Sequence, residues 1–363
     1  MSDRLRDAVV VGGGPAGLAF AVAAAARGLD VLVLEARPYP VDKACGEGIM
    51  PAGVRALEAL GVRHLLGPAE ASPLTALRWV DAAGPAVEVA LPRPGGLGVR
   101  RTALSAALLA RARGAGAEVV EARVLDHRRG AGEVAVRHEG GEVRARLLVA
   151  ADGLGSAVRR REGLDLPLPG PRRFGLRRHL TRAGDGGTVE VHLGDRCEAY
   201  LTPAGAGRLG VAFLFEEGAP GGWAALLDRF PALAERLRGA EPRSEEQGAG
   251  PLARAVRTRV LDRLVLLGDA GGYLDALSGE GLSLALGCAL DLAALAPAAL
   301  AAGATRHALH GYERAWRRRW RPYWLSTAAL LAVTRRPALR RALIALAARE
   351  PRPLARLVAA AVG

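Results

Sequence analysis

The sequence predicts an α/β fold in which a parallel sheet flanked by helices carries an inserted, mainly antiparallel β region and a helical C-terminal tail. Three observations support this class. Residues 7–35 have the pattern of a strand, a helix and a second strand, and a unit of about 30 residues suits two parallel strands joined by a helix. Residues 172–215 alternate between apolar and polar positions and are interrupted by Gly and Pro, which is typical of antiparallel strands. From residue 312 onward the pattern is helical.

The individual elements follow from the same patterns. The opening strand covers residues 7–11, the first helix covers 18–27 with Gly28 as its C-cap, and the next strand covers 31–34. In the tail, prolines are expected to break the helix at Pro322, Pro337 and Pro351. The apolar runs predict further helices over 51–60, 102–113 and 281–295, and further strands over 77–89, 118–124, 133–138, 147–151 and 264–267.

The net charge of the 363-residue chain is +13 and is concentrated at one end. Residues 313–363 hold twelve Arg and two acidic residues, a charge of +10, which leaves +3 for the rest. We expect no nucleic-acid partner, because single-strand binding needs a groove that nothing else in the sequence suggests.

The cysteines Cys45, Cys197 and Cys288 lack metal-ligand spacing, so we expect neither a disulfide framework nor a metal site, and we place the protein in a reducing cytoplasm. The sequence contains no signal-peptide pattern and no uninterrupted apolar stretch of bilayer length.

A glycine motif follows the first strand. Gly12, Gly14 and Gly17 have the GxGxxG spacing: the first allows a tight turn, the second a close approach of the backbone to a pyrophosphate, and the third close packing of helix and strand. The helix N-terminus then offers free N–H groups to the phosphates. Glu35 ends the next strand, where its carboxylate can accept hydrogen bonds from ribose hydroxyls and disfavours a 2′-phosphate. This Rossmann-like unit therefore predicts NAD or FAD.

Two further motifs distinguish between these dinucleotides. Asp152-Gly153 follows the strand at 147–151, and Gly268-Asp269 follows the strand at 264–267. The three motifs in this order resemble the flavoprotein superfamily of para-hydroxybenzoate hydroxylase and geranylgeranyl reductase, which is similar to the group A flavoprotein monooxygenases. The resemblance covers roughly residues 5–310 and implies that the bound dinucleotide is FAD.

The resemblance also implies roles for particular residues. Asp269 is expected to hydrogen-bond the FAD ribitol, and Gly281 and Leu282 to begin a helix whose positive end faces the pyrimidine edge of the flavin. Arg101 matches the superfamily arginine that reaches the FAD phosphates, with Arg100 as the competing candidate. Further expected cofactor contacts are Pro15, Ala16, Ala36, Val124, Asp152 and Gly153.

The segment Asp42–Gly48 resembles the Cys-Gly loop that lies beside the flavin in the reductases. Cys45 either tunes the flavin or lies near the substrate, or it is a small buried thiol. Gly46 and Gly48 suit a close approach of the backbone to a flat ring. The loop also contains Lys43, the only lysine of the chain, which is there by chance or for a function.

The inserted region contains candidates for the substrate site. A phenol hydroxylase needs a group that helps to deprotonate the phenol. His179 is the first candidate, followed by His192 and Tyr200; the alternative for each is an ordinary residue of a sheet surface. The halogenase signature W-x-W-x-I-P is absent from the sequence. Of the reductase signature Y-x-W-x-F-P, residues 198–203 retain only Pro203, with an aromatic residue in place of the Trp.

These features predict an FAD-dependent monooxygenase that hydroxylates a lipophilic phenolic or polyketide-type substrate with NAD(P)H and dioxygen. Only one dinucleotide motif is present, so NAD(P)H is expected to act as a transient reductant without its own Rossmann site. The first alternative is a geranylgeranyl-reductase-like enzyme that saturates prenyl double bonds. The second alternative is a membrane-associated electron-transfer flavoprotein.

The expected organisation is a discontinuous Rossmann-like FAD-binding domain (residues 1–75, 100–165 and 255–311), an inserted, mainly antiparallel substrate domain (76–99 and 166–254) and a helical C-terminal tail (312–363). We expect a monomer. The tail either packs on the domain through an aromatic stripe or, as a partner surface at residues 313–363, rests on anionic lipid at the inner face of the membrane. The stripe consists of Tyr312, Trp316, Trp320 and Trp324.

Overall fold

The computed structural model describes residues 4–181, 186–219 and 221–362. The strands in the first half of the chain are β1 (Arg6–Val11), β2 (Val31–Glu35), β3 (Gly48–Ile49), β4 (Ala71–Leu74), β5 (Ala76–Asp81), β6 (Ala86–Ala90), β7 (Gly96–Val99), β8 (Glu118–Glu121), β9 (Val124–Arg129), β10 (Val134–His138) and β11 (Gly141–Ala150). Those in the second half are β12 (Asp165–Leu166), β13 (Arg173–Thr181), β14 (Thr188–Leu193), β15 (Cys197–Pro203), β16 (Arg208–Glu216), β17 (Gln247–Ala249), β18 (Ala255–Val256), β19 (Val260–Leu261) and β20 (Leu264–Leu266).

The helices are α1 (Pro15–Ala25), α2 (Pro51–Ala59), α3 (Arg101–Gly114), α4 (Ala157–Arg161), α5 (Trp223–Leu227), α6 (Pro231–Arg236), α7 (Gly281–Ala301), α8 (His310–Thr334), α9 (Pro337–Arg349) and α10 (Arg352–Val362). The starts of α2 and α9 agree with the sequence patterns, since Pro51 and Pro337 stand in the first turn, where the missing N–H has no intrahelical partner. Helix α1 begins at Pro15, three residues before the predicted start.

The first sheet has the strand order β19-β20-β11-β1-β2-β8 and carries the cofactor motifs. The pairs β1–β11, β1–β2, β2–β8 and β11–β20 are parallel. The sequences of β1 and β2 are nearly continuous apolar runs, because helices or other strands cover both faces of these strands. Beside this sheet, α1 packs on α7, and both are rich in alanine, which lets helices approach closely. The parallel α/β domain predicted from the sequence is thereby confirmed.

Helix α7 is the helix of the described residues that is long and apolar enough to cross a membrane. Its Leu286, Ala289 and Leu292 side chains are buried in the same core cluster as α1. A fully apolar helix at the centre of a domain has the same composition as a spanning one. We therefore describe α7 as a core helix.

The second sheet has the order β17-β13-β16-β15-β14-β5-β6 and is antiparallel apart from the parallel pair β14–β5. It forms the inserted domain. The sequence-based boundary is wrong at one strand: β7 lies within the range 76–99 assigned to this domain but pairs with β3 and β4 in a small third sheet. β7 also lies against the inserted domain, because a Cβ added to Gly98 would be 1.8 Å from the carbonyl oxygen of Pro203 in β15.

The tail differs from the sequence expectation at Pro322, where no break occurs. Helix α8 continues through Pro322, because this residue and Arg318, whose carbonyl loses its usual N–H partner, are both exposed to water. The aromatic stripe packs on the cofactor domain over most of its length. Trp316 is buried, stacks on Trp320 at a centroid distance of 4.6 Å, and lies 3.7 Å from the Arg259 guanidinium. Trp324 departs from this packing and is 46% exposed.

Candidate cofactor site

A cavity of about 270 Å³ opens at the carboxyl ends of β1, β2 and β11. In an open α/β sheet, this is the edge at which ligands bind. The glycine turn after β1, the end of β2 and Asp152 after β11 meet there. The predicted contacts among its lining residues are Gly12, Gly14, Pro15, Glu35, Ala36, Arg101, Val124 and Asp152.

The glycines of the first motif fit a pyrophosphate. Gly12 has φ +101°, a conformation that strains any other residue, and an added Cβ would lie 2.5 Å from the Ala151 carbonyl oxygen. A Cβ on Gly17 would lie 2.0 Å from the Gly12 oxygen, so this glycine permits the close packing of α1 on β1. A Cβ on Gly14 would project into space where no atom of the described residues lies within 4 Å. Gly14 therefore leaves room for a ligand at the N-terminus of α1.

Glu35 is held at the wall of this cavity. The backbone N–H of Gly13 donates to Glu35 Oε2 (2.7 Å), and that of Arg37 donates to Oε1 (3.1 Å). Two backbone donors fix the carboxylate at the end of β2, where the ribose of a dinucleotide is expected. Each oxygen keeps capacity to accept a further hydrogen bond from a hydroxyl.

Asp152 contributes one engaged and one unengaged oxygen. Its Oδ2 accepts from the N–H groups of Ala157 (2.8 Å) and Val158 (3.2 Å) and so caps α4. Its Oδ1 is buried and has no hydrogen-bond partner among the residues that the structure describes. A buried acceptor without a partner is costly, and a hydroxyl donor from a ligand in the cavity would satisfy it. Gly153 follows with φ +78°.

Lys43 connects the cavity with the turn that contains Asp269. Its Nζ lies 2.8 Å from the place where a Cβ on Gly153 would be, and its side chain lines the cavity together with Arg101. Burial lowers the pKa of Lys43, whereas the Asp269 carboxylate opposes that change. Burial raises the pKa of Asp269, and the charges of Lys43 and Arg101 oppose the rise. The two cations suit the two negative charges of a pyrophosphate.

The sequence analysis did not place Lys43 in the cofactor site. The signal that could have found it is that Lys43 is the only lysine in a chain with 49 arginines. Of the two candidate arginines, Arg101 rather than Arg100 lines the cavity. The predicted contacts that are not among its lining residues are Ala16, Gly17, Gly46, Gly48, Gly153, Asp269, Gly281 and Leu282. The donor set, the open Gly14 position and the unsatisfied Asp152 oxygen all fit FAD.

The N-terminus of α7 begins at Gly281, after Glu280. Gly281 lies so close to the Tyr273 ring that an added Cβ would be 2.9 Å from it. Glu280 is buried, the Ser326 hydroxyl of α8 donates to it at 3.5 Å, and burial raises the pKa of Glu280 to about 7. The Tyr323 hydroxyl of α8 accepts from the N–H of Asp275 (3.1 Å). The tail helix therefore holds the loop that leads into α7.

The Cys-Gly loop follows Lys43. The Glu47 N–H donates to Cys45 Sγ (3.3 Å), and burial raises the pKa of Cys45, so that it stays a neutral thiol at neutral pH. Gly46 is exposed, and in the described part of the chain no atom comes within 4 Å of a Cβ built on it. Gly48 is half-buried and pairs with Gly98 in the small sheet. A flat ring could approach this backbone at Gly46.

The candidates for a substrate base are all engaged in internal contacts. His179 is 2% exposed, and its Nε2 lies 2.5 Å from Glu47 Oε2. The Tyr200 hydroxyl donates to the Leu277 carbonyl (3.0 Å), and burial raises the pKa of Tyr200 well above its ordinary value. His192 Nε2 lies 3.3 Å from Glu190 Oε2. The structure thus places these side chains inside the inserted domain and its junction with the Cys-Gly loop.

Comparison with known proteins agrees with this site. The profile of the family described as FAD binding domain matches residues 6–179. The chain is 34% identical over 303 residues to digeranylgeranylglycerophospholipid reductase 1 of Methanopyrus kandleri, covering 78% of each chain. It is 30% identical over 315 residues to the menaquinone reductase of Mycobacterium tuberculosis, covering 78% of this chain and 74% of that one.

The fold is also found in a solved structure, p-nitrophenol 4-monooxygenase from Pseudomonas putida, with a TM-score of 0.82 at 20% identity over 98% of that chain and 99% of this one. At this identity the likeness shows the fold alone. The glycine motif and Asp152 at the cavity, the matching family profile and the two relatives lead to one conclusion. The chain belongs to the family of FAD-dependent oxidoreductases that includes the digeranylgeranylglycerophospholipid and menaquinone reductases.

Proposed function

We propose that this flavoenzyme reduces an isolated carbon–carbon double bond in the prenyl chain of a lipid. The observation that carries the proposal is the state of His179, Tyr200 and His192. Each of these candidate bases is engaged with a neighbour inside the protein, and Tyr200 uses its proton in a hydrogen bond to Leu277. A phenol hydroxylase needs one such group free to take the phenol proton, whereas the reduction of an alkene does not.

Bound FAD, reduced by NAD(P)H, would supply a hydride to one carbon of the double bond. The second carbon needs a proton, and we propose two side chains as its source. These are the Cys45 thiol, whose pKa burial raises, and the Glu280 carboxyl, whose pKa burial raises to about 7. Both lie on segments expected to border the flavin, the Cys-Gly loop and the start of α7. One relative is named as a reductase of a digeranylgeranyl lipid and the other as a menaquinone reductase, which supports a prenyl lipid as the substrate.

Hydroxylation of a lipophilic aromatic compound is the second candidate. It is favoured by residues 198–203, which retain only Pro203 of the reductase signature. One experiment separates the candidates: NAD(P)H oxidation with polyprenyl lipids and with alkylphenols under labelled dioxygen, followed by mass spectrometry. A gain of two hydrogens without label supports reduction. Label in the product supports hydroxylation, and flavin reduction without any product supports an electron-transfer role.

The tail surface is proposed to rest on anionic lipid, next to such a substrate. The support is a set of exposed apolar side chains on α8, α9 and α10 within a segment of charge +10. Each basic residue near an anionic surface contributes about 1 kcal/mol, and apolar side chains add a part that salt does not screen. The exposed apolar side chains are Trp324, Leu325, Leu339, Leu343, Leu346 and Leu357.

Vesicle co-sedimentation tests this surface. The double variant Leu343→Ser/Leu346→Ser should lower binding to vesicles that contain phosphatidylglycerol, and high salt should lower it further. Leu65→Ser, a similarly exposed leucine on the cofactor domain, is the matched control and should bind like the wild type. If the wild type ignores these vesicles at low salt, the tail is a packing element only.

A further inference from the structure

We propose that Glu47 is a positioning residue that orients both Arg101 and Cys45 toward the flavin site, and that His179 of the inserted domain holds Glu47 in place. The sequence analysis includes Glu47 in the Cys-Gly loop but assigns it no role. The inference concerns the FAD site itself and does not depend on which substrate the enzyme reduces.

Glu47 has an unusual backbone conformation. Its φ is +60°, and its side chain is 1% exposed. A residue other than Gly in this region is uncommon and persists where surrounding contacts determine it. Four contacts do so here: the Val99 N–H donates to the Glu47 carbonyl (2.9 Å), and the others involve Cys45, Arg101 and His179.

The contact with Arg101 fixes the start of α3. The Arg101 N–H donates to Glu47 Oε1 (2.9 Å). The first N–H groups of a helix have no intrahelical partner, and Arg100, at the N-cap, provides no side-chain cap. Glu47 supplies that cap from 54 residues away, and its negative charge suits the positive end of the helix. The cap thereby sets the position from which the Arg101 side chain reaches the cavity.

The contact with Cys45 holds its thiol in place. Glu47 N–H donates to Cys45 Sγ at 3.3 Å, across Gly46. Gly46 and Gly48, on either side of Glu47, offer no side chain that could anchor the loop. Glu47 is therefore the buried anchor of the Cys-Gly loop, and displacing it would release Cys45.

The contact with His179 links the loop to the inserted domain. His179 Nδ1 lies 3.2 Å from Arg177 Nη1, and a guanidinium can only donate. Nδ1 of a neutral His179 therefore accepts, so that Nε2 carries the proton and donates to Glu47 Oε2 (2.5 Å). Arg177 also donates to Asp42 Oδ1 (2.5 Å) and to the Lys43 carbonyl (3.2 Å). Strand β13 thus holds both ends of the loop.

The test compares Glu47→Ala, Glu47→Gln and His179→Phe with the wild type, without substrate. FAD affinity is measured by titrating the apoprotein, and Cys45 exposure by its rate of reaction with a disulfide reagent. That rate reports on Cys45 because Cys197 and Cys288 are 0% and 1% exposed. Loss of one positioning hydrogen bond corresponds to roughly tenfold weaker FAD binding at most, together with faster Cys45 modification.

Glu47→Gln sharpens the test. Its amide oxygen can still accept from Arg101, while its NH₂ faces the Nε2–H of His179, so FAD affinity should be kept and Cys45 should react faster. The matched control is His192→Phe, which breaks a second buried His–Glu contact on β14, away from the loop. If Glu47→Ala misfolds, Glu47→Gln and His179→Phe decide the question. Wild-type thiol reactivity in both Glu47→Gln and His179→Phe, or equal changes in His192→Phe, would overturn the proposal.

Discussion

Arg340→Ala is the substitution that most directly tests whether the C-terminal tail belongs to the folded core. Arg340 lies on α9 and is 4% exposed. Its Nε donates to Asp81 Oδ2 (2.6 Å), and its Nη1 donates to the carbonyls of Gly194 (2.7 Å) and Thr334 (3.0 Å). Asp81 ends β5 of the inserted domain and is 1% exposed. This one side chain therefore ties the tail to two strand ends of that domain.

The expected magnitude follows from burial. Removing one partner of a buried ion pair leaves the other charge uncompensated, at a cost of about 3–5 kcal/mol. With an m-value of about 3 kcal/mol/M, a loss of about 4 kcal/mol lowers the urea midpoint by roughly 1.3 M. The neighbouring residue Arg341 is exposed, and its Nε donates to the Pro337 carbonyl at 3.3 Å, so Arg341→Ala should change the unfolding free energy by no more than about 0.5 kcal/mol.

Urea unfolding followed by circular dichroism measures both variants. The reasoning is refuted if Arg340→Ala unfolds at the same midpoint as Arg341→Ala, since the tail would then not be held through this pair. Asp81→Asn gives an independent check, because it removes the charge that Arg340 compensates while keeping the size of the side chain.

Three further predictions concern the cofactor site. The purified protein should be yellow from bound FAD. Gly14→Val should lose most of that FAD, because the valine side chain would fill the open space at the N-terminus of α1. The flavin absorbance of the desalted protein measures the FAD content of both. Asp269→Ala should likewise bind FAD more weakly, and an FAD content equal to the wild type would contradict the assignment of the Gly268-Asp269 turn. The unfolding free energy should fall as pH rises from about 4.5 to about 7, because the folded state binds a proton at Glu280 that the unfolded state releases, and Glu280→Gln should flatten this fall in pH-dependent urea titrations.

Part of the candidate cofactor site follows from local sequence patterns. Gly12, Gly14 and Glu35 follow each other within one strand–helix–strand unit, so that local pattern alone places them together. Asp152 joins them because the carboxyl ends of parallel strands meet at one edge of the sheet. Arg101 was identified by resemblance, and the structure places it at the same cavity.

What the sequence did not show depends on pairs that are distant in the chain. Glu47 and His179 are 132 residues apart, and no spacing rule connects a loop residue with a strand of another domain. Strand β7 was grouped with the inserted domain because the pattern of its four residues does not specify their partners, and the structure pairs it with β3 and β4. Pro322 was expected to break the tail helix because proline removes one backbone hydrogen bond. Water can replace that hydrogen bond where the helix is exposed, and the periodic pattern does not show that Pro322 is exposed.

The two faces of α8 explain why the tail must be tested with point variants. On one face, Tyr323 and Thr327 contact the loop before α7: Tyr323 holds Asp275, and the Thr327 hydroxyl donates to Ser278 Oγ (3.0 Å). On the other, Trp324 is exposed and available to a lipid surface. Deletion of residues 313–363 would remove both faces at once, so a loss of vesicle binding could follow from a damaged flavin site. Substitution of exposed α9 leucines leaves the loop contacts intact, and only then does a loss of vesicle binding with unchanged FAD content report on the lipid-facing surface.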